Sequence, residues 1–333
     1  MKTTSIMLQT LCVPCSCHCR YCLLGWDGHL PGLDYGRSQD FARRFHQWLR
    51  ENRPGLPFHF SFGFSMEHPR LLDAIDFLRE IGSVGARYLH FDGMAFRESS
   101  ALSALLQQLK ARGVETLNFT FYGVSQAHDQ FAGRSGDYAY LLQAMRLARE
   151  TGLQVTAGIP LTQENAGQAD ALCGILEKTG AESIRLFVPH AEGRGILLDG
   201  IRFSLADHHR LSPASRQRFN RAVYKTEAEW LAEGLLKPPQ SRTLLISLTP
   251  ENIDAFEAMG FEALIRYVES LDDAYYDALP SPQELARLYG DRDHFAFYHQ
   301  RDLLWHYQQR YIAAHRLTLH DVTNERLCGS RRF

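Results

Sequence analysis

The chain has 333 residues, of which 45% are hydrophobic and 22% are charged, and its formal net charge is -2. This length suits one large α/β domain with an appendage, or two domains. The near-neutral charge excludes an electrostatic argument for nucleic acid or an acidic membrane surface as partner, and no apolar run is long enough to span a bilayer. We therefore expect a cytoplasmic protein, without nucleic-acid or membrane partners, whose thiols stay reduced.

The N-terminal run SIMLQTLCV is apolar but short, and Gln9 and Thr10 interrupt it. A signal peptide is the alternative interpretation, but further cysteines follow this run without a break in the pattern. We interpret the run as the first strand of the fold.

Up to about residue 195, short apolar runs alternate with amphipathic helices. The predicted strands are TSIMLQTL, PFHFSFGFS, ARYLHFDG, VETLNFTFYG, LQVTAGIPL and ESIRLFVPH. The helices between them are SQDFARRFHQWLRE, which Ser38 could cap, PRLLDAIDFLREIG, SSALSALLQQLKARG, DYAYLLQAMRLARETG and AGQADALCGILEKTG. Each ends near a glycine, as a helix C-terminal cap requires. The alternation predicts a parallel sheet covered by helices, either a barrel or an open doubly wound sheet, with functional loops after the strands.

Five of the seven cysteines lie in LCVPCSCHCRYCLLGW, directly after the first strand. The two pairs CVPC and CRYC would each suit zinc, but zinc ribbons usually separate their pairs by many more than three residues. Cys15, Cys19 and Cys22 form C-x3-C-x2-C, with the aromatic Tyr21 before the last cysteine. Three thiolates leave one iron of a four-iron cluster without a protein ligand, which is a place for a substrate or cofactor to bind.

This spacing after a first strand resembles the signature of the radical S-adenosylmethionine (SAM) enzymes, and the resemblance covers about the first 195 residues. It implies a partial (β/α)6 TIM-type barrel with one [4Fe-4S] cluster on Cys15, Cys19 and Cys22. SAM would chelate the open iron, and the reduced cluster would cleave it to methionine and a 5'-deoxyadenosyl radical that removes a hydrogen atom from the substrate. The resemblance also implies a one-electron donor such as flavodoxin or ferredoxin.

Five further residues are candidates for binding SAM: Tyr21, Glu67, Asn118, Thr120 and Arg194. FGFSMEHPRLL resembles the family's Gly-Gly-Glu-Pro segment, with Glu67 as the acceptor for the SAM amino group, although two glycines are replaced and His68 is inserted. The alternative is a first-turn glutamate favoured by the helix dipole. Asn118 and Thr120 share one face of the fourth strand and could reach the ribose hydroxyls. Tyr21 could pack near the adenine or support the loop.

Two segments resemble the peptide-modifying branch of the family. In PHAEGRG, Arg194 could pair with the SAM carboxylate, or be an exposed turn arginine. In GVSQAHDQFAGRSGDY, His128 and Asp129 could organise a loop over the pocket, or act as cap and turn. These segments favour a ribosomally made peptide as substrate. The alternatives are a small-molecule substrate and, from another class, a non-catalytic zinc or redox-sensing protein.

We assign residues 1–200 to the core barrel, with its cluster loop at 15–22. Residues 201–333 are expected to be a mostly helical lid or substrate-binding part. Two long amphipathic helices are predicted, SPASRQRFNRAVYKTEAEWLAEG and HFAFYHQRDLLWHYQQRYIAAHR, with TLLISL as one more strand. The cysteine-rich region that binds auxiliary clusters in the peptide-modifying branch is missing, since only Cys328 follows Cys173.

The remaining cysteines have weaker interpretations. Cys328 is either incidental or a hydrogen-atom donor of the kind that radical epimerases require. Cys12 and Cys173 suit small buried side chains. Cys17 lies between two predicted ligands, and its use as a ligand in place of Cys15 would fit the family's spacing less well.

Overall fold

The computed structural model describes residues 1–10, 15–22, 33–61, 66–191, 193–234, 236 and 241–319. Its strands are β1 (Lys2–Thr10), β2 (Phe58–Ser61), β3 (Tyr88–His90), β4 (Thr116–Thr120), β5 (Gln154–Pro160), β6 (Ser183–Phe187), β7 (Tyr224–Thr226), β8 (Ser241–Leu248) and β9 (Phe297–His299). The first six follow the chain order that the hydrophobic pattern predicts.

The helices lie mostly between the strands. They are α1 (Tyr35–Asn52), α2 (Leu71–Glu80), α3 (Ser99–Ala111), α4 (Gln126–Ala132), α5 (Asp137–Glu150), α6 (Ala169–Thr179), α7 (Leu205–Arg210), α8 (Pro213–Arg218), α9 (Glu227–Ala232), α10 (Ile253–Met259), α11 (Phe261–Asp277), α12 (Pro282–Tyr289) and α13 (Gln300–His315). Short 3-10 helices cover Val84–Ala86, Ala166–Gln168 and Gly193–Ile201. The predicted glycine ends of the helices are confirmed, since Gly82, Gly113, Gly152 and Gly180 all have positive φ.

The strands form two parallel sheets and one antiparallel pair. The first sheet has the order β2-β1-β8, the second has the order β3-β4-β5-β6, and β7 pairs antiparallel with β9. In the first sheet Ile6 stands between Phe58 of β2 and Leu244 of β8. The α/β class and the parallel order are confirmed. In the described residues β2 and β3 belong to different sheets, so closure into a barrel stays a prediction.

The strand predicted from TLLISL is confirmed as β8, and it pairs with β1 along eight residues from Lys2 to Thr10. Its inward side chains Leu244, Ile246 and Leu248 are all buried. A strand from the C-terminal part of the chain therefore belongs to the same sheet as β1, the strand that precedes the cysteine segment.

Three predictions about helices are wrong. Ser38 does not cap α1: the side chain of Asp34 accepts from the Arg37 N–H at 2.9 Å, so the helix begins earlier and the Ser38 hydroxyl donates to Tyr35 O. The helix predicted over residues 212–234 is divided into α8, β7 and α9. Thr226 causes the last break, because it forms a capping box with Glu229 that starts a new helix.

The helix predicted over residues 294–316 begins only at α13, after β9. Phe297 and Tyr298 are adjacent and yet both are buried, because successive strand residues point to opposite sides. Phe297 stacks on Phe203 at 5.6 Å, whereas Tyr298 lies in a second apolar cluster with Trp230. Within the described residues no helix is long and apolar enough to cross a membrane.

Candidate functional site

The cysteine segment, residues 15–22, lies across the loops that follow β3 and β4. Its backbone N–H groups at alternate positions donate outward: Ser16 to Gly93 O at 2.9 Å, His18 to Ala132 O at 2.7 Å, and Arg20 to Phe131 O at 3.1 Å. Gly93 follows β3, and the other two acceptors belong to α4, which follows β4. The segment therefore sits at the carboxyl edge of the second sheet, where ligand sites of parallel α/β folds occur.

Two glycines let the cysteine segment approach this closely. A Cβ on Gly93 would collide with the Cys15 Sγ, and a Cβ on Gly133 would stand 2.9 Å from the His18 Cβ. Both glycines also have positive φ, 79° and 65°, which L side chains rarely adopt. We call Gly93 and Gly133 the glycine cradle, because Cys15 and His18 lie in the space that side chains at these two positions would fill.

The four thiols of the segment differ in exposure. Cys15, Cys19 and Cys22 are half-buried, whereas Cys17 is only 7% exposed. The pKa of Cys15 is raised by two main causes, of which a hydrogen bond with Cys17 is the larger and burial the smaller. For Cys17, the hydrogen bond with Cys15 lowers the pKa, but the hydrogen bond with Cys19 and burial together outweigh it. Metal ligation requires thiolates, so loading a metal here would release protons.

Among the described residues, no three His, Cys, Asp or Glu side chains lie close enough together to hold a metal ion. A four-iron cluster is larger than a single ion, and its ligands stand farther apart. Three partly exposed thiols on one short segment are the donors such clusters use, and Gly93 lets the Cys15 thiol lie directly against the loop after β3. The residues present fit a [4Fe-4S] cluster by donor chemistry.

Glu67 lies beside the loop after β3. Its Oε1 accepts from the Ala95 N–H at 3.0 Å and from Arg97 at 3.1 Å. Because α2 begins only at Leu71, Glu67 precedes the first helical turn, and the helix-dipole interpretation does not apply. Ala95 is two residues beyond Gly93, so one loop carries both the cradle of Cys15 and the partners of Glu67.

The side chains of Asn118 and Thr120 already form hydrogen bonds with neighbouring side chains. The Asn118 Nδ2 donates to the Thr156 Oγ1 at 2.9 Å. The Thr120 hydroxyl donates to Asp92 at 2.7 Å, and its N–H donates to the same carboxylate at 2.9 Å. Asp92, which the sequence interpretation missed, directly precedes Gly93, and burial raises its pKa. An acidic residue before glycine at a strand end was the available signal.

Tyr21 supports the cysteine segment. Its ring stacks on Phe131 at 5.2 Å between centroids, and Phe131 stacks on Tyr122 at 3.3 Å. Leu198 and Ile201 pack on the same cluster. These rings form an apolar wall beside the thiols, so Tyr21 supports the loop, and its packing near an adenine stays a prediction.

His128 and Asp129 act as the cap and turn that the sequence allowed. The Asp129 carboxylate accepts from the N–H groups of Gly136 and Tyr138 at 2.6 and 2.8 Å, which caps α5. The His128 Nδ1 accepts from the Tyr122 N–H at 3.1 Å, and its Nε2 lies 3.0 Å from Asp137. They fix the corner between α4 and α5, on which the cysteine segment lies.

The Gly-Arg-Gly turn follows β6 and begins the 3-10 helix Gly193–Ile201. A Cβ on Gly195 would collide with the His190 carbonyl oxygen, so only glycine fits there. The side chain of Arg194 lies outside the described residues, as do Cys12 and Cys328. Cys173 is buried in α6, as predicted.

Neither protein-family models nor curated proteins match this chain. Among solved structures, Streptococcus suis SuiB bound to precursor peptide SuiA matches with 12% identity and a TM-score of 0.46, over 63% of this chain and 45% of that chain. SuiB bound to S-adenosylmethionine matches with 12% identity and a TM-score of 0.45, over 79% and 54% of the two chains.

Escherichia coli coproporphyrinogen III oxidase (HemN), described as a radical SAM enzyme, matches with 14% identity and a TM-score of 0.40, over 74% of this chain and 63% of that chain. The similarity to these radical SAM enzymes is one of fold. The chain spans about half the length of the SuiB chains that it matches.

Proposed function

We propose that this chain is a radical SAM enzyme that holds one [4Fe-4S] cluster on Cys15, Cys19 and Cys22. The observation that carries the proposal is the position of these thiols at the carboxyl edge of a parallel sheet, against a glycine cradle. Bound there, the cluster would supply the electron that cleaves SAM and so provide a 5'-deoxyadenosyl radical to the substrate.

The chain's own residues have three tasks in this proposal. Glu67, held by Ala95 and Arg97 on the loop that also carries Gly93, offers a carboxylate to the SAM amino group. Arg194 offers a guanidinium to the SAM carboxylate. Asn118 and Thr120 would have to exchange their present partners to reach a ribose, so they are the weaker candidates.

Water exclusion is the third task. Tyr21, Phe131 and Tyr122 stack in series next to the thiols, and Leu198 covers them from the segment after β6. An apolar wall on this side keeps solvent from reactive intermediates.

We propose a peptide as the substrate class, with a one-electron donor such as flavodoxin or ferredoxin as partner. Ile196 and Leu197 are 41% and 69% exposed, although Leu198 beside them is buried against the apolar wall. Exposed apolar side chains at the rim of the site suit the side chains of a peptide better than a small polar molecule. Co-expression with short peptides encoded beside this gene, read by mass spectrometry, tests that choice.

The test of the reaction class is anaerobic. The chain is reconstituted with iron and sulfide, given SAM and dithionite, and assayed for 5'-deoxyadenosine by mass spectrometry. The variant with Cys15, Cys19 and Cys22 all changed to Ala should give none, while Cys173→Ala, which removes a thiol buried in α6, should behave as the wild type. A brown wild-type protein that yields 5'-deoxyadenosine supports the proposal. A colourless protein that binds zinc through the same three cysteines refutes it.

A further inference from the structure

The geometry points to Cys17 as a positioning residue, which anchors the cysteine segment to the buried carboxylate of Asp137 and is not itself a cluster ligand. This inference rests on the proposed function. It gives a role to the cysteine that C-x3-C-x2-C leaves out.

The thiol of Cys17 lies close to those of Cys15 and Cys19, but it is the most buried of the segment and also reaches Asp137. It is 7% exposed, and its Sγ donates to the Asp137 Oδ2 at 3.7 Å, a distance within the range of sulfur hydrogen bonds. The two residues are 120 positions apart. The bond therefore joins the loop after β1 to the first turn of α5.

Asp137 is itself held in a fixed direction. The Nδ1 of His128 accepts a backbone N–H, so its proton is on Nε2, which donates to the Asp137 Oδ2 at 3.0 Å. Arg134 donates to the Asp137 Oδ1 through Nε at 3.1 Å and through its terminal nitrogen. Burial raises the pKa of Asp137, but these donors outweigh burial and lower it overall, so the group is a carboxylate.

The same network reaches the cradle of Cys15. The other terminal nitrogen of Arg134 donates to the carbonyl oxygen of Met94, next to Gly93. Asp137 thus connects the cysteine segment, the loop after β3 and the corner between α4 and α5. Recruiting Cys17 as a ligand would withdraw a donor from this buried carboxylate, which costs free energy.

The position of Cys17 in the segment explains how one bond can orient two ligands. The backbone at 16, 18 and 20 is fixed by bonds to the underlying loops, and Cys17 lies midway between Cys15 and Cys19. Fixing the Cys17 side chain therefore fixes which side of the segment faces the protein. Cys15 and Cys19 lie next to it and are more exposed than Cys17, so a cluster can reach their thiols.

The first arm of the experiment uses the reduced chain before any iron is added. Alkylation rates at each cysteine are measured by mass spectrometry in the wild type, in Asp137→Asn, and in Asp170→Asn as control. Asp170 occupies the first turn of α6 as Asp137 occupies that of α5. We expect Asp137→Asn to speed alkylation of Cys17 about tenfold, and the control to leave it unchanged. An unchanged rate in Asp137→Asn overturns the inference.

The second arm compares Cys17→Ser with Cys17→Ala and Cys15→Ser after reconstitution, and measures iron per chain, the midpoint potential, and iron loss to a chelator. Cys17→Ser keeps a donor for Asp137 and should retain iron, whereas Cys17→Ala should lose iron about tenfold faster, with a shifted potential. If Cys17→Ser loses iron to the same extent as Cys15→Ser, Cys17 is a cluster ligand and the inference is wrong. If the wild type takes up no iron, the proposed function fails, while the alkylation arm still decides this inference.

Discussion

Gly93 and Gly82 both have positive φ, 79° and 71°, but only Gly93 lies against another side chain. The space beside Gly82 is open, so Gly82→Ala should cost only the backbone strain, about 1 kcal/mol. Gly93→Ala adds a collision with the Cys15 Sγ, and we expect it to abolish iron uptake as well. Iron content per chain and urea unfolding measure the two effects separately. Equal iron content in the two variants would show that the cradle is unimportant.

His208 makes the stability of the C-terminal part sensitive to pH. Its ring lies among Phe203, Phe219 and Phe297, and neither ring nitrogen is hydrogen-bonded by any described residue. Burial lowers its pKa from 6.5, and the nearby Arg221, His209 and Arg216 act in the same direction, against Glu229.

The sign of the effect follows from proton binding. As the pH falls, the unfolded chain binds a proton at this ring before the folded chain does, so the stability present above pH 6.5 is lost below it. His208→Phe should remove this part of the pH dependence, whereas His209→Phe, at an exposed neighbour, should not. Urea unfolding at about pH 7.5 and about pH 5.5 provides the comparison. An identical loss of stability on acidification in wild type and His208→Phe would refute the assignment.

At the scale of elements, the break before α9 depends on one threonine. The Thr226 hydroxyl accepts from the Glu229 N–H at 3.2 Å, and the Glu229 carboxylate accepts from the Thr226 N–H at 2.8 Å. Thr226→Ala should lower the free energy of unfolding by about 1 kcal/mol, and Thr226→Ser should restore most of it. Denaturant midpoints measure both. A serine variant as unstable as the alanine variant would assign the loss to packing of the methyl group.

The same element shows where sequence interpretation succeeded and where it failed. The first six strands and their helices were predictable because each carries its own periodicity and its own glycine end. The division of residues 212–234 had a signal too, the Thr-x-x-Glu pattern at Thr226, but an unbroken amphipathic run outweighed it. β9 had no local signal, since two adjacent buried aromatic residues fit a helix buried on several sides equally well.

The candidate site was predictable only in part, for a physical reason. The candidate ligands Cys15, Cys19 and Cys22 stand out because they lie close together in sequence on one loop. The partners that hold the loop, Asp137 and Gly93, are brought to it by the fold from distant positions. No spacing rule connects them to the cysteines, so only the structure could find them.

At the scale of the whole molecule, β8 makes the first sheet depend on the C-terminal part. Leu244 and Ile246 are buried and lie beside β1. A fragment of residues 1–200 should therefore expose one edge of β1 and aggregate or remain partly unfolded. Circular dichroism and sedimentation of the fragment and the full chain check this. A monomeric, cooperatively folding fragment would establish residues 1–200 as an independent domain.

In the full chain, Ile246→Ala should destabilise the protein by about 2–5 kcal/mol, because it leaves a cavity beside β1. Chemical denaturation measures this loss. A cost well under 1 kcal/mol would mean that β8 contributes little to the sheet.

The pairing of β1 with β8 also sets an order of events during synthesis. β1 leaves the ribosome early, but its second neighbour emerges only after more than two hundred further residues have been translated. At common elongation rates this interval lasts at least about ten seconds. Throughout that time the cysteine segment follows a strand, β1, that still lacks one of its two neighbours. A cluster inserted before residues 241–248 have been translated would therefore enter a chain whose first sheet still lacks β8.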